Sequence, residues 1–220
     1  MEVGVKDAAA VLGVSQQRIR NMISDRRLTA RRVAGRYLID EAQLAGAPAV
    51  SRPMSPRIAW AFISLLSGRR PVDVSPAELS RLRQKRVRLV SEEQPERLLR
   101  SWLARRAEHR RYSVAPGDLA ALARDARVLR SGVSDPRSGM SSGGEFEGYL
   151  ACDRVDSVVD DYLLSRVGNP NVLLHVIADG HWLAKEKSAP LGLVVADLAD
   201  RQSPREDNKV NELLPMIGSW

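Results

Sequence analysis

The sequence predicts an α+β protein: a small N-terminal domain of helices and a hairpin, a helical segment, then a mixed α/β C-terminal domain. Three observations lead there. Apolar residues recur at helical spacing on both sides of a short turn near the start. A Pro-, Ser- and Ala-rich joint, "GAPAVSRPMSP" at 46–56, then interrupts the pattern. Beyond residue 112 short β-prone runs replace long amphipathic ones.

The first helix is expected from Val5 to Leu12, with Ala8, Ala9 and Leu12 inward. Gly13 suits a tight turn needing a positive φ. Ser15 stands where an N-cap belongs, and Ile19, Met22 and Ile23 follow at helical spacing. "LTARRVAGRYLI" reads as a hairpin, Leu28–Val33 and Arg36–Ile39 around a turn at Ala34-Gly35, and Asp40 can cap a short helix through Leu44. These boundaries give a domain over 1–46, a linker over 47–55 and a second domain over 56–220. Within the latter, 56–111 is expected to be mainly helical and 112–220 mixed.

Ser55-Pro56 opens a helix carrying Ile58, Phe62, Ile63 and Leu66. "SPAELSRLRQKRVRLV" begins with a capping box, Ser75 to Glu78. "PERLLRSWLARRAEHRR" completes the helical segment. "RYSV", "ARVLRSGV", "EGYLAC", "NVLLHVIA" and "LGLVVADL" read as strands, with helices near 117–125, 153–165 and 204–214. The last starts at a second capping box, Ser203 to Glu206, and 131–148 reads as a flexible loop.

Charge divides the chain unevenly. The formal net charge of +7 resolves into +3 over 1–50, +10 over 51–130 and −6 over 131–220. The basic half can attract phosphate, while the acidic last third suits a basic protein partner. With Cys152 the single cysteine, an internal disulfide and a cysteine metal cluster are excluded. No apolar run reaches membrane-spanning length, and "MEVGVKDAAA" lacks a signal peptide's layout. A cytoplasmic protein without membrane contact is expected.

Ala9, Gly13 and Ile19 stand at the offsets of four and six that a helix-turn-helix needs. That triplet is weak alone. It gains force from the hairpin that follows, which bears Arg31, Arg32 and Arg36 as a wing would. "VKDAAAVLGVSQQRIRNMISDRRLTARRVAGRYLIDEAQL" resembles the excisionase-like winged helix-turn-helix domains, related to the DNA-binding part of the MerR family. The resemblance implies double-stranded DNA as partner. Gln16, Gln17, Arg20 and Asn21 would face the major groove, flanked by Ser15 and Arg18, with Arg31, Arg32 and Arg36 on phosphate. Gln and Asn can pair with adenine, and Arg with guanine, through two hydrogen bonds.

Nothing in the remainder assembles into catalysis by spacing. His109 is expected on the solvated face of an arginine-rich helix. His175 and His181 flank "VIAD" without a third ligand at metal spacing, and Cys152 reads as a buried small residue. "SGMSSGGEFEG" lacks the Lys-Ser/Thr ending of a phosphate loop, and Asp156, Asp160 and Asp161 read as a wet helix face. The expectation is therefore a non-enzyme, with no catalytic residues, cofactor or metal. Arg81, Lys85 and Arg88 share one helical stripe, and Arg97, Arg100, Arg105 and Arg106 crowd the next helix. They read as solvated faces covering the core, with a second phosphate-contacting surface the sharper alternative.

"SRLRQKRVRL", "ARVLRSGVS", "EGYL", "NVLLHVI" and "VVADLADRQSPREDNKVNELL" resemble the antitoxins of AbiE-type toxin–antitoxin pairs. That resemblance implies an autorepressor whose C-terminal domain counters a nucleotidyltransferase-like toxin, the cognate partner, while the N-terminal domain binds the operon's own operator. A two-fold operator would imply a homodimer on DNA, although no dimer seam is visible in the sequence. The alternative is an excisionase-like architectural factor of a mobile element without a toxin partner.

Overall fold

The computed structural model describes residues 2–12, 14–24, 28–33, 35–46, 52–140, 144–178, 180 and 186–218. Gly13, Ala34 and His181, and most of the expected linker, lie outside the described residues. The fold is mixed α+β, with helices and two separate sheets. The chain divides into two compact units, Met1–Arg52 and Pro53–Trp220.

The first unit contains β1 (Glu2–Gly4), α1 (Val5–Leu12), α2 (Gln16–Ser24), β2 (Ala30–Val33), β3 (Arg36–Asp40) and α3 (Glu41–Gly46). Its small core joins Ala8, Ala9 and Leu12 of α1 to Ile19 and Met22 of α2, and closes with Leu28, Ile39 and Leu44. Alanines at 8 and 9 keep α1 slim enough for α2 to pack closely. The amide of Arg18 donates to Ser15 Oγ at 3.3 Å, so Ser15 caps α2 as its position suggests. β2 and β3 form the expected hairpin, with Val33 opposite Arg36 and Gly35 at φ +80° in the turn between them. The sequence reading missed β1. It pairs antiparallel with β3 and makes the sheet three-stranded, in the order β1-β3-β2.

The second unit opens on three helices, α4 (Pro56–Leu66), α5 (Pro76–Val90) and α6 (Pro95–Leu103). The capping box at Ser75 and Glu78 forms reciprocally. Met54 is buried and its amide donates to the Trp102 carbonyl at 2.9 Å, so this unit begins before α4. The helices lead to β4 (Glu108–Tyr112), α7 (Leu119–Leu122), β5 (Leu129–Arg130), β6 (Phe146–Ala151), α8 (Val155–Asp161) and β7 (Val172–Ile177). α9 (Leu191–Asp200) and α10 (Pro204–Gly218) complete it. The sheet order is β4-β7-β6-β5; β6 and β7 run parallel across the α8 crossover, and the outer pairs are antiparallel. One sheet face carries the apolar side chains Tyr112, Phe146, Leu150, Val172, Leu174 and Val176, which bury Leu122 of α7 and Val155 and Val158 of α8.

Several local expectations are corrected. "LGLVVADL" is not a strand but most of α9, buried from Gly192 to Ala199. A fully buried helix shows the same unbroken apolar run as a buried strand, so periodicity cannot separate them. Gly192 permits that burial: a Cβ there would lie 2.8 Å from Leu66 Cβ and 2.9 Å from the Ile63 carbonyl. The helix opened by Pro95 ends at Leu103, and "EHRRY" is strand β4, because pairing with β7 overrides its helical propensity. The described parts of segment 131–148 are not a free loop: Ser131, Val133, Asp135 and Ser138 are buried, and its last residues enter β6. Cys152 is exposed, not buried. At the second expected capping box Ser203 meets Glu206 side chain to side chain.

Candidate nucleic-acid interface

In α2, burial of Ile19 and Met22 fixes which side faces away from the core. Gln17, Arg20, Asn21 and Ser24 then lie opposite that anchor at i, i+3, i+4 and i+7 spacing, with Gln16 and Arg18 on the flanks. All six are exposed. Gln17 Nε2 donates to Asn21 Oδ1 at 3.1 Å, which aligns two amides able to pair with base edges one helical turn apart. Ser15 is exposed, but its hydroxyl is engaged in the cap, so it positions the helix start.

The wing arginines do not share one face. Arg32 lies opposite Tyr37, and its guanidinium stands 5.8 Å from that ring's centroid. Arg31 pairs in register with Leu38, and Arg36 with Val33. Strand alternation therefore puts Arg31 and Arg36 on the face opposite Arg32. Arg31 is further constrained: its Nη2 reaches Glu2 Oε2 of β1 at 2.7 Å, and that hydrogen bond and charge raise its guanidinium pKa. Among the described residues Arg36 has no such tie. The wing is fixed at its base where the Thr29 amide donates to Gln43 Oε1 of α3 at 2.9 Å. Sequence reading missed Glu2, since a three-residue strand leaves almost no periodic signal.

The second unit holds a different cluster. On the sheet face opposite the apolar core, β6 presents Glu147 and Tyr149, β7 presents His175, and β4 presents His109 beside it. Asp197 of α9 closes over them, and Glu147, His175 and Asp197 are fully buried. His175 Nε2 lies 2.9 Å from Glu147 Oε1 and 3.9 Å from Asp197 Oδ1. A carboxylate only accepts, so Nε2 carries the proton toward Glu147. His175 Nδ1 is buried and has no hydrogen-bond partner among the described residues. The imidazole stacks on Tyr149 with centroids 4.6 Å apart, and His109 meets it edge-on at 4.6 Å.

These three side chains bring candidate metal ligands within 4.8 Å of one another. Their lone pairs are already committed. Asp197 Oδ1 accepts from Arg106 Nη2 at 2.6 Å, Arg106 Nε at 3.2 Å and Tyr149 OH at 2.7 Å, while Oδ2 accepts from Ser131. Arg201 Nη2 holds Glu147 Oε2 at 3.0 Å. A cation would have to displace Arg106, so the donor set fits an ion-pair lock better than a metal centre. Burial works against the Arg106 charge, but Tyr149, Asp197 and Asp200 override it and raise its pKa well above the ordinary value. Burial likewise opposes ionisation of Asp197, yet His175, Arg106 and the hydrogen bonds from Ser131 and Tyr149 hold it below the usual carboxylate range. Burial, His175 and Arg106 lower the pKa of His109.

The arginine clusters are consequently divided in use. Arg106 is buried, which corrects its reading as a solvated residue. Arg100 Nε donates to the Ala199 carbonyl at 2.8 Å. Lys85 lies 4.2 Å over the Trp102 ring, whereas Arg81 and Arg88 are exposed.

The family described as a helix-turn-helix domain matches residues 3–45, from within β1 into α3. That domain suggests DNA binding, and the match agrees with the excisionase-like resemblance. Comparison with curated proteins and with solved structures gave no match. Among the described residues no helix is long and apolar enough to cross a membrane.

Proposed function

We propose that the protein is a sequence-specific repressor and antitoxin: the first unit reads its own operator, and the second neutralises a nucleotidyltransferase-like toxin. The observation that carries the DNA-reading half is α2, capped by Ser15 and anchored by Ile19 and Met22, with Gln17, Arg20 and Asn21 exposed on the side away from that anchor. Gln16 and Arg18 extend that edge, and Arg36, Arg32 and Arg31 supply phosphate contacts from the wing. The toxin-binding half draws its support from the AbiE-type resemblance of the second unit and from the charge of −6 over residues 131–220, which suits a basic catalytic groove. In this reading the second unit binds rather than catalyses. Glu147, His175, Asp197 and Arg106, all buried, serve internal ion pairs.

Two measurements test the two halves separately. Purified protein should shift a duplex of its own upstream region at lower concentration than a scrambled duplex. Co-expression should relieve growth arrest caused by the product of an adjacent nucleotidyltransferase-like gene. Absence of the shift removes the reader, and continued arrest removes the antitoxin role. An excisionase-like architectural factor draws equally on residues 3–45. Bending of a recombination site, without binding at the protein's own promoter, would favour that second reading.

A further inference from the structure

The carboxyl ends of the parallel strands β6 and β7 open on a groove of about 1160 Å³, bordered by Ala151 at the end of β6 and Ala178 just after β7. Ligands of open α/β sheets bind in this position, outside the carboxyl ends of parallel strands. The charge lining it is unbalanced. Each carboxylate described in the lining already has an arginine: Asp125 has Arg127 at 2.6 Å, Asp135 has Arg137 at 2.7 Å, Asp153 has Arg154 at 3.6 Å, and Glu186 has Arg69. Arg124, Arg130 and Lys187 also line the groove, all exposed and with no ion-pair partner among the described residues.

Three unpaired cations around one concavity call for a ligand with several closely spaced negative charges. Arg127, held also by Asp161 at 2.7 Å, and Arg137 add guanidinium groups fixed in place before any ligand arrives. The groups the described lining offers a polar ligand are mainly guanidinium and ammonium, which recognise phosphate oxygens. Ala123, Ala126 and Ala151 in the lining are small, which leaves room for a compact polyanion. We propose that this groove binds a small molecule bearing linked phosphates, with the polyphosphate as the recognised group. The site lies wholly within the second unit and is independent of the DNA-reading assignment.

The test is calorimetric titration of the full chain, without DNA, using inorganic tripolyphosphate and then a nucleoside triphosphate. Saturable binding of both is expected, each displacing the other. Arg124→Glu with Arg130→Glu should weaken it at least about tenfold, the effect of losing charge-assisted contacts. Arg81→Glu with Arg83→Glu on α5 changes net charge equally and should leave binding within twofold. If the groove pair disturbs folding, Arg124→Gln with Arg130→Gln replaces it, and the same loss is expected. Absence of saturable binding, or an equal loss in the α5 control, overturns the proposal. A single-stranded oligonucleotide that binds more tightly than either probe, with the same dependence on Arg124 and Arg130, overturns it in favour of a nucleic-acid track.

Discussion

Replacing Arg106 with Met would test the buried lock directly. The guanidinium holds Asp197 at 2.6 Å, Asp200 at 2.7 Å and the Tyr149 hydroxyl at 2.8 Å, with side chains of Arg106 and Asp197 both wholly inaccessible. Methionine fills similar volume, so the dominant loss is an aspartate left buried without its counter-charge. Breaking one side of such a pair costs about 3–5 kcal/mol. For a unit spanning Pro53–Trp220 each kcal/mol lowers Tm by roughly 2–4 °C, a fall of about 6–20 °C in all. Equilibrium urea denaturation supplies the free energy and a thermal melt the shift. The informative variant adds Asp197→Asn, which removes the stranded charge and should restore part of the loss. A single variant costing under about 1 kcal/mol, or a second change that deepens the loss, would refute the lock. DNA binding near the transition should persist, since the first unit has its own core.

In α2, Gln17→Ala and Arg20→Ala should each cost about 1–3 kcal/mol at particular base pairs, read by binding to single-substituted duplexes. Arg36→Ala should instead weaken all duplexes alike and reduce the salt slope by about one phosphate's worth. Because Arg31 is shared with Glu2, Arg31→Ala should cost less than Arg36→Ala, and Glu2→Gln should tighten non-sequence-specific binding; the opposite order would show the ion pair opening on DNA. His109 has a folded pKa lowered by burial, His175 and Arg106, so the unfolded chain takes up its proton first, near its ordinary value of about 6.5. Stability should accordingly be full above that value and decline as pH falls through the folded pKa; His109→Gln should flatten this decline, measured as unfolding free energy between about pH 7 and 5.

The first unit was legible because its signals are local. Ser15 caps the helix that Ile19 and Met22 anchor, and the hairpin is set by the spacing of Val33, Gly35 and Arg36. The polar cluster of the second unit joins residues far apart in the chain: Arg106 meets Asp197 across 91 positions, and His175 meets Glu147 across 28. No spacing rule brings such partners together, and the helical nature of "LGLVVADL" that carries Asp197 inward was hidden by complete burial. "EHRRY" failed for a related reason, since its place beside β7 is decided by pairing and not by its own composition. Cys152 shows the limit of residue-type averages: small apolar residues are usually buried, but this one is exposed in the short turn Cys152–Arg154 that follows β6.

Trp60 Nε1 donates to the Arg106 carbonyl at 3.1 Å, and its ring stands edge-on to Tyr149 at 5.8 Å. All four tryptophans fall in the second unit, while the first has only Tyr37 as an aromatic chromophore. The molecule therefore carries its own optical partition. Excitation of indole follows the second unit alone, with Trp60 placed where loosening of the buried ion pairs must change its emission. Melting of the DNA reader should pass unseen in that channel, so the two cooperative units can be timed separately without a label.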